Sequence, residues 1–197
     1  LADDAAIDRY RAPDPLRPAL YEPTRRVVEQ FKGDYWICGS CQTTILETAT
    51  ALRGYEQILM DMLTDEELVN KLFDIPQRYH LEVTKQLVRL GVDMVWLGDD
   101  LGAQQSMIIA PALWRKLLKP RLAALIGELK KLNPEVVIAY HTDGFVEPVI
   151  PDLIEAGVVA LDAESTVETV ADGIAPHPTL SEAIKEAGLV ALGRAIH

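Results

Sequence analysis

The run Gly91-Val-Asp-Met-Val-Trp-Leu-Gly-Asp-Asp100 is apolar almost throughout and stops abruptly in two carboxylates. A short apolar run with helical pattern before and after it reads as a parallel strand buried on both faces. In α/β folds the chemistry collects where such strands end at their carboxyl side, and Asp99 and Asp100 stand there. A second unit repeats the plan. Pro134-Glu-Val-Val-Ile-Ala-Tyr-His-Thr-Asp-Gly144 is apolar until it delivers His141 and Asp143 at its tip. Two strand tips carrying carboxylates and an imidazole define the candidate site.

The 197 residues suit one domain, or one domain and a small appendage, with a core of its own. A net charge of -11, without clustered Lys and Arg, argues against a nucleic-acid surface. No apolar run reaches the roughly 18–20 residues of a membrane span, and no signal peptide opens the chain. A cytoplasmic protein with no membrane partner is expected. The two cysteines form Cys38-Gly-Ser-Cys41, a spacing shared by redox pairs and half zinc sites. No second pair completes a structural zinc site, and the downstream pattern is not thioredoxin-like. Buried or turn cysteines without chemistry are the expectation.

Residues 1–23 read as a poorly packed lead-in interrupted by Pro13, Pro15, Pro18 and Pro23. Thr24 is placed to cap a short helix through Gln30. Asp34–Ile37 reads as a strand with Gly39-Ser40 as its turn, and helical spacing follows over Thr43–Leu52 and Tyr55–Leu63. Thr64 with Glu67 predicts an N-cap and capping box. Pro76 predicts a break or kink, with helix resuming from Gln77 to Leu90 and Gly91 as its C-terminal stop. Strand 92–98, a loop from Gly98 to Ile109 and a long helix from Ala110 to Leu132, broken near Pro120, come next. Strand 136–141, a helix Glu147–Ala156 and a strand-like Val158–Leu161 follow, then two helices, Glu164–Ile174 and Thr179–Leu192. Alternating strand and helix up to Leu161 predicts α/β architecture with a parallel sheet or barrel.

Several segments together resemble the uroporphyrinogen decarboxylase superfamily, which also holds zinc-dependent methyltransferases acting on corrinoids and coenzyme M. They are Leu52-Arg-Gly-Tyr-Glu56 with Leu59-Met-Asp61, Gly91-Val-Asp93 with Gly98-Asp-Asp-Leu-Gly102, Ala110-Pro111 through Lys119-Pro-Arg121, Tyr140-His-Thr-Asp-Gly144 and Ile150-Pro-Asp-Leu-Ile-Glu-Ala-Gly157. The resemblance covers about residues 34–161 and implies a (β/α) TIM-barrel-like fold, here partial, since family members are longer. In the methyltransferases the strand tip reads His-x-Cys and a later cysteine completes the zinc site. Here the tip reads His141-Thr142-Asp143, an oxygen donor in place of sulfur. The arginine-rich N-terminal segment and early aspartate that hold the porphyrinogen in the decarboxylases are not found, so methyl transfer is the better expectation.

The tail resembles a different family. Ala163-Glu-Ser-Thr-Val-Glu168, His177-Pro-Thr-Leu-Ser-Glu182 and Gly193-Arg-Ala-Ile-His197 are similar to the C-terminus of dihydrolipoyl dehydrogenases, where the matching His and Glu are an acid–base pair. Those positions are His177 and Glu182, and the capping-box spacing from Thr179 explains Glu182 without catalysis. No G-x-G-x-x-G turn is present, so neither flavin nor NAD is expected. The chain reads as chimeric, a decarboxylase-like α/β domain over residues 1–162 and a helical tail over 163–197.

For the site, His141, Asp99 and Asp100 are the candidate catalytic residues, and His141 with Asp143 the candidate metal ligands. A strand-tip His can ligate zinc or move a proton. Adjacent side chains on a strand point to opposite faces, so at most one of Asp99 and Asp100 faces a pocket. Asp143 shares the side of His141 only if the strand continues past it. Gln104 and Gln105 are candidates for binding a polar substrate. His80 reads as a surface residue and Trp96 as core. The expected function is zinc-dependent methyl transfer to a thiol or corrinoid by a homo-oligomer acting on a small molecule. Two alternatives stand beside it: an inert protein that self-associates through unpaired strand edges, and a metal-assisted hydrolase using the same tips.

Overall fold

The computed structural model describes Leu1 and residues 3–164. The strand expected at Val158–Leu161 runs instead from Ala160 to Glu164, the residue expected to open the first tail helix. The remainder of the two expected tail helices, with His177 and Glu182, lies outside the described residues. The described chain runs α1 (Asp4–Arg9), α2 (Glu22–Phe31), β1 (Cys38–Cys41), α3 (Leu46–Arg53), α4 (Tyr55–Thr64), α5 (Glu66–Leu90) and β2 (Met94–Gly98). It continues through α6 (Pro111–Leu117), α7 (Lys119–Leu132), β3 (Val137–Asp143), α8 (Ile150–Glu155) and β4 (Ala160–Glu164). Four parallel strands form one sheet in the order β1-β2-β3-β4, each crossover carrying helix, as a partial TIM-barrel-like α/β fold requires.

Register divides the sheet into two faces. Ser40, Trp96 and Ala139 stand level across three strands, and Gly98 stands level with His141. Alternation then puts Met94, Trp96, Val137, Ala139, His141 and Asp143 on one face. Cys41, Val95, Leu97, Ile138, Tyr140 and Thr142 lie on the other and are buried. On that second face α5 packs against β1 and β2 and is itself backed by α7. Phe73 and Leu72 of α5, Leu125 and Leu129 of α7 and Trp114 of α6 sit in the core at near-zero exposure. Truncating Phe73 to Ala there costs about 3–5 kcal/mol by the usual cavity penalty.

Several local expectations are corrected. The lead-in is not loose: Asp3 caps α1 by accepting from the Ala6 N–H, and Ile7 and Tyr21 reach the core. The second helix begins at Glu22, ahead of Thr24, with Pro23 in the first turn where its missing N–H costs nothing. The first strand is Cys38–Cys41, not Asp34–Ile37, because pairing with Met94–Leu97 decides it. The Asp93 carboxylate accepts from the Ile37 N–H at 2.8 Å and fixes that register. Cys38 and Cys41 therefore point to opposite faces of a strand, not into a turn.

Thr64 closes α4 by donating to the Met60 carbonyl at 2.8 Å, and Asp65 is the N-cap of α5, accepting from Leu68 N–H at 3.0 Å. Helix α5 passes Pro76 without a break. Arg121 of α7 binds residues on both sides of that proline, the Asp74 carboxylate at 2.5 Å, the Asn70 amide oxygen at 3.0 Å and Gln77. The helix stops at Gly91, φ 94°, as a left-handed C-cap. The break near Pro120 falls at Leu118, and the segment expected as one helix after Glu147 splits into a 3-10 turn, Glu147–Val149, and α8. Among the described residues no helix is long and apolar enough to cross a membrane.

Candidate metal centre

The site is built where β2 and β3 end, and Asp99 is the reason it holds its shape. Helix α3 has no capping side chain of its own. Asp99 supplies the cap across space, its carboxylate accepting the N–H groups of Ile45 and Glu47, each at 3.0 Å. The Tyr140 hydroxyl donates to the same carboxylate at 3.3 Å. Burial pushes the Asp99 carboxyl up to about 7, while the N–H groups of Glu47 and Ile45 pull it back. Thr44 adds a second stitch, donating its N–H to the Gly98 carbonyl at 2.7 Å and accepting the Gly98 N–H at 2.9 Å. On the other flank Thr142 accepts the Leu101 N–H at 3.0 Å.

With Asp99 turned to the helices, Asp100 faces the opposite way. Strand β3 runs to Asp143, two residues past its expected end, so Asp143 does share a face with His141. His141 Nε2 lies 3.7 Å from Asp100 Oδ1 and 3.5 Å from Asp143 Oδ1. Donor atoms of the three residues all fall within 4.8 Å of one another. Asp100 also accepts the Asp143 N–H at 3.2 Å, tying the two tips together. Asp143 Oδ1 is buried without a hydrogen-bond partner.

Two glycines permit the approach. A Cβ on Gly98 would meet the His141 carbonyl oxygen at 2.8 Å. A Cβ on Gly102 would meet the Asp143 carbonyl oxygen and the Phe145 nitrogen, both at 2.5 Å. Any side chain at either position pushes the strand tips apart. The loop after β2 doubles back through an Ala103 N–H to Ser106 carbonyl bond at 2.7 Å, leaving Gln104 and Gln105 exposed at its tip.

Glu47 was not legible as a site residue. It stands in the first turn of α3, half-buried, and the charges of Asp100, His141 and Asp143 all act on it. Burial, then the Asp100 charge, pushes its carboxyl above the usual range. No spacing signal links it to the strand tips, because long-range bonds, the Asp99 cap and the Thr44–Gly98 pair, bring it there. Trp96, expected as core, is half-buried on the same face as His141, and its indole N–H is enclosed without a partner. His80 is a correction of a larger kind. It is buried at 8% exposure, not on the surface.

The three donors fit a zinc ion. Bonds of about 2.0–2.2 Å to nitrogen and oxygen in tetrahedral geometry separate neighbouring ligand atoms by about 3.4 Å. The 3.5 and 3.7 Å spacings around His141 are within small side-chain movement of that value. The bare Asp143 oxygen is the kind of buried acceptor a cation satisfies. One imidazole and two carboxylates leave coordination positions open, as catalytic sites do.

Comparison with known proteins agrees with this architecture. The chain superposes on a methyltransferase from Methanosarcina mazei with a TM-score of 0.66 at 18% identity, over 87% of this chain and 46% of that one. It thus spans less than half the length of that relative, and the likeness is one of fold. A second similarity, 34% identity over 82 residues, is to dihydrolipoyl dehydrogenase from Zymomonas mobilis and covers 33% of this chain and 18% of that protein. The profile of the uroporphyrinogen decarboxylase (URO-D) family matches residues 1–183, beyond the join expected at 162. The chain belongs to the uroporphyrinogen decarboxylase (URO-D) family.

Proposed function

We propose that the chain binds a divalent cation, zinc foremost, on Asp100, His141 and Asp143 and uses it in methyl transfer to a thiol or corrinoid. The observation that carries this reading is the convergence of the three donor groups within 4.8 Å at the strand tips. Family membership and the fold likeness to a methyltransferase support the reaction class. Zinc held there would supply a Lewis acid that lowers the pKa of a coordinated thiol.

The rest is the work of the chain. His141 offers a nitrogen donor on the face of the sheet opposite α5, and Asp100 holds the Asp143 backbone in place while presenting its own oxygen. Gly98 and Gly102 keep the tips close enough to share one ion. Gln104 and Gln105, on the exposed loop tip, are assigned to polar groups of the small-molecule substrate. Trp96 gives the same face an apolar wall.

The donor set favours a second reading. Two carboxylates in place of thiolates make a harder site, better matched to activating water than sulfur. Metal-assisted hydrolysis would use the same residues.

The two are separated by loading the protein with zinc and offering, in turn, a methylated corrinoid with a small thiol and a panel of activated esters. Zinc-dependent demethylation of the corrinoid, lost in Asp100→Asn, supports methyl transfer. Zinc-dependent ester cleavage without demethylation supports the hydrolase. Neither reaction with a zinc-loaded protein would overturn both and leave an inert, self-associating member of the family.

A further inference from the structure

Away from the strand tips of β2 and β3, strand β1 and helix α5 bring together groups that the metal centre does not use. Cys41, the last residue of β1, faces α5 with its Sγ 3.0 Å from His80 Nδ1. His80 Nε2 lies 3.2 Å from Thr48 Oγ1, and the Thr48 hydroxyl donates to the Thr43 carbonyl. A carbonyl only accepts, so Thr48 commits its proton there and receives the Nε2–H of His80. Nδ1 is then the acceptor, and the Cys41 S–H points at it. The four groups form one directed chain from thiol to backbone carbonyl. Cys41 and His80 also line an open cavity of about 430 Å³, together with Leu20, Tyr21, Gln42 and Val83.

A nucleophile within hydrogen-bond reach of a base, and a base oriented by a third group, is the arrangement of covalent catalysis. We propose that this is a second, nucleophilic site, in which Cys41 accepts a short apolar acyl group from an ester or thioester seated in the cavity. His80 is the general base and Thr48 the positioning residue. The Cys41 sulfur bonds to the carbonyl carbon as its proton passes to His80 Nδ1. The bond from that carbon to the leaving oxygen or sulfur then breaks, and the leaving atom keeps the electron pair and recovers the proton from Nδ1. A thiol and an ester become a thioester and an alcohol, with nothing oxidised or reduced.

The resting pair is neutral. Burial, and then the Asp99 charge, pushes the Cys41 thiol up to about 12, and burial holds His80 down to about 4. The proton therefore moves during attack and not before it, as with a serine and its histidine. Leu20, Val83 and the rings of Tyr21 and Tyr79 give the cavity apolar wall against which a short acyl chain can lie.

The test uses the full chain and para-nitrophenyl butyrate, reading nitrophenolate release and the mass of the Cys41 peptide. The expected result is a burst of about one equivalent and a single butyryl group on Cys41. His80→Gln should slow Cys41 acylation by about 100-fold or more, the lower end for loss of a general base, and Thr48→Val by up to about tenfold, as for loss of one orienting hydrogen bond. Cys38→Ser, which alters an exposed thiol on the opposite face, should leave it unchanged. Butyryl groups only on Cys38 or on lysines would overturn the proposal. So would a Cys41 acylation rate equal in the wild type and Thr48→Val, whose circular dichroism confirms folding. Should His80→Gln not fold, Thr48→Val alone decides.

Discussion

The carboxylates of Asp99 and Asp100, adjacent in the chain, serve opposite faces of the sheet: Asp99 takes the Ile45 N–H at 3.0 Å, and Asp100 lies 3.7 Å from His141. Asp99 caps a helix, whereas Asp100 accepts the Asp143 N–H at 3.2 Å on the His141 side. Asp99→Ala leaves two backbone donors and a tyrosine hydroxyl buried without an acceptor. At about 1–3 kcal/mol for each such group, with partial relief by relaxation, the loss should be about 3 kcal/mol. For a chain of this size that lowers Tm by roughly 6–12 °C. Asp100→Asn keeps its acceptor oxygen for the Asp143 N–H and should change stability by less than about 0.5 kcal/mol. Calorimetry of the two variants checks both numbers.

Gly102 is where the β2 and β3 tips touch. The Cβ of an alanine there would sit 2.5 Å from the Asp143 carbonyl oxygen. Since backbone must move, Gly102→Ala should cost about 1–3 kcal/mol as overpacking does. It should also weaken zinc binding, because His141 and Asp143 lose their spacing. Denaturant titration and calorimetric zinc titration read the two effects, and normal zinc affinity would contradict the geometry.

His80 makes stability depend on pH. Burial holds it down to about 4 in the folded chain, against an ordinary value of 6.5. Above 6.5 both states are neutral and no difference arises. As pH falls from 6.5 to 4 the unfolded chain takes the proton first, so folding loses about 3 kcal/mol over that window. Asp99, raised to about 7, acts in the opposite direction between its ordinary value and 7. Comparing wild type with His80→Gln cancels that contribution. The wild type should lose about 3 kcal/mol more than the variant between pH 6.5 and 4, measured by urea denaturation.

Arg53 and Asp61 form an ion pair at 2.7 Å with 7% of each side chain exposed. Gln57 and the Leu1 carbonyl complete their hydrogen bonds. Removing one partner strands a buried charge, so Asp61→Ala should destabilise by about 3–5 kcal/mol. Replacing both, Arg53→Met with Asp61→Leu, should restore most of it. A double replacement as unstable as the single one would mean that the pair itself stabilises the fold.

Much of the frame was legible in the chain. The apolar runs ending at Asp99 and His141 announced β2 and β3, and Gly91 announced the end of α5, since burial on both faces and a left-handed cap leave local marks. Cys38–Cys41 did not read as a strand, because neither its composition nor its periodicity makes it one; pairing with β2 does. Pro76 suggested a break, but α5 runs through it, with Arg121 of another helix bound to residues on either side. His80 looked solvated because a histidine carries no mark of the thiol and hydroxyl that satisfy both its nitrogens. Asp143 joined the site because β3 runs two residues further than its apolar stretch, and Glu47 because Asp99 and Thr44 tie the start of its helix to β2. Long-range hydrogen bonds decided each of these.

Zinc content is the most direct test of the account. The protein is purified without chelator, and zinc is measured by mass spectrometry beside His141→Ala and Asp143→Asn, each checked for folding by circular dichroism. The account predicts about one zinc per wild-type chain and almost none in either variant. A folded wild type that holds no zinc and takes up none on titration, or a His141→Ala protein that holds as much, would contradict it.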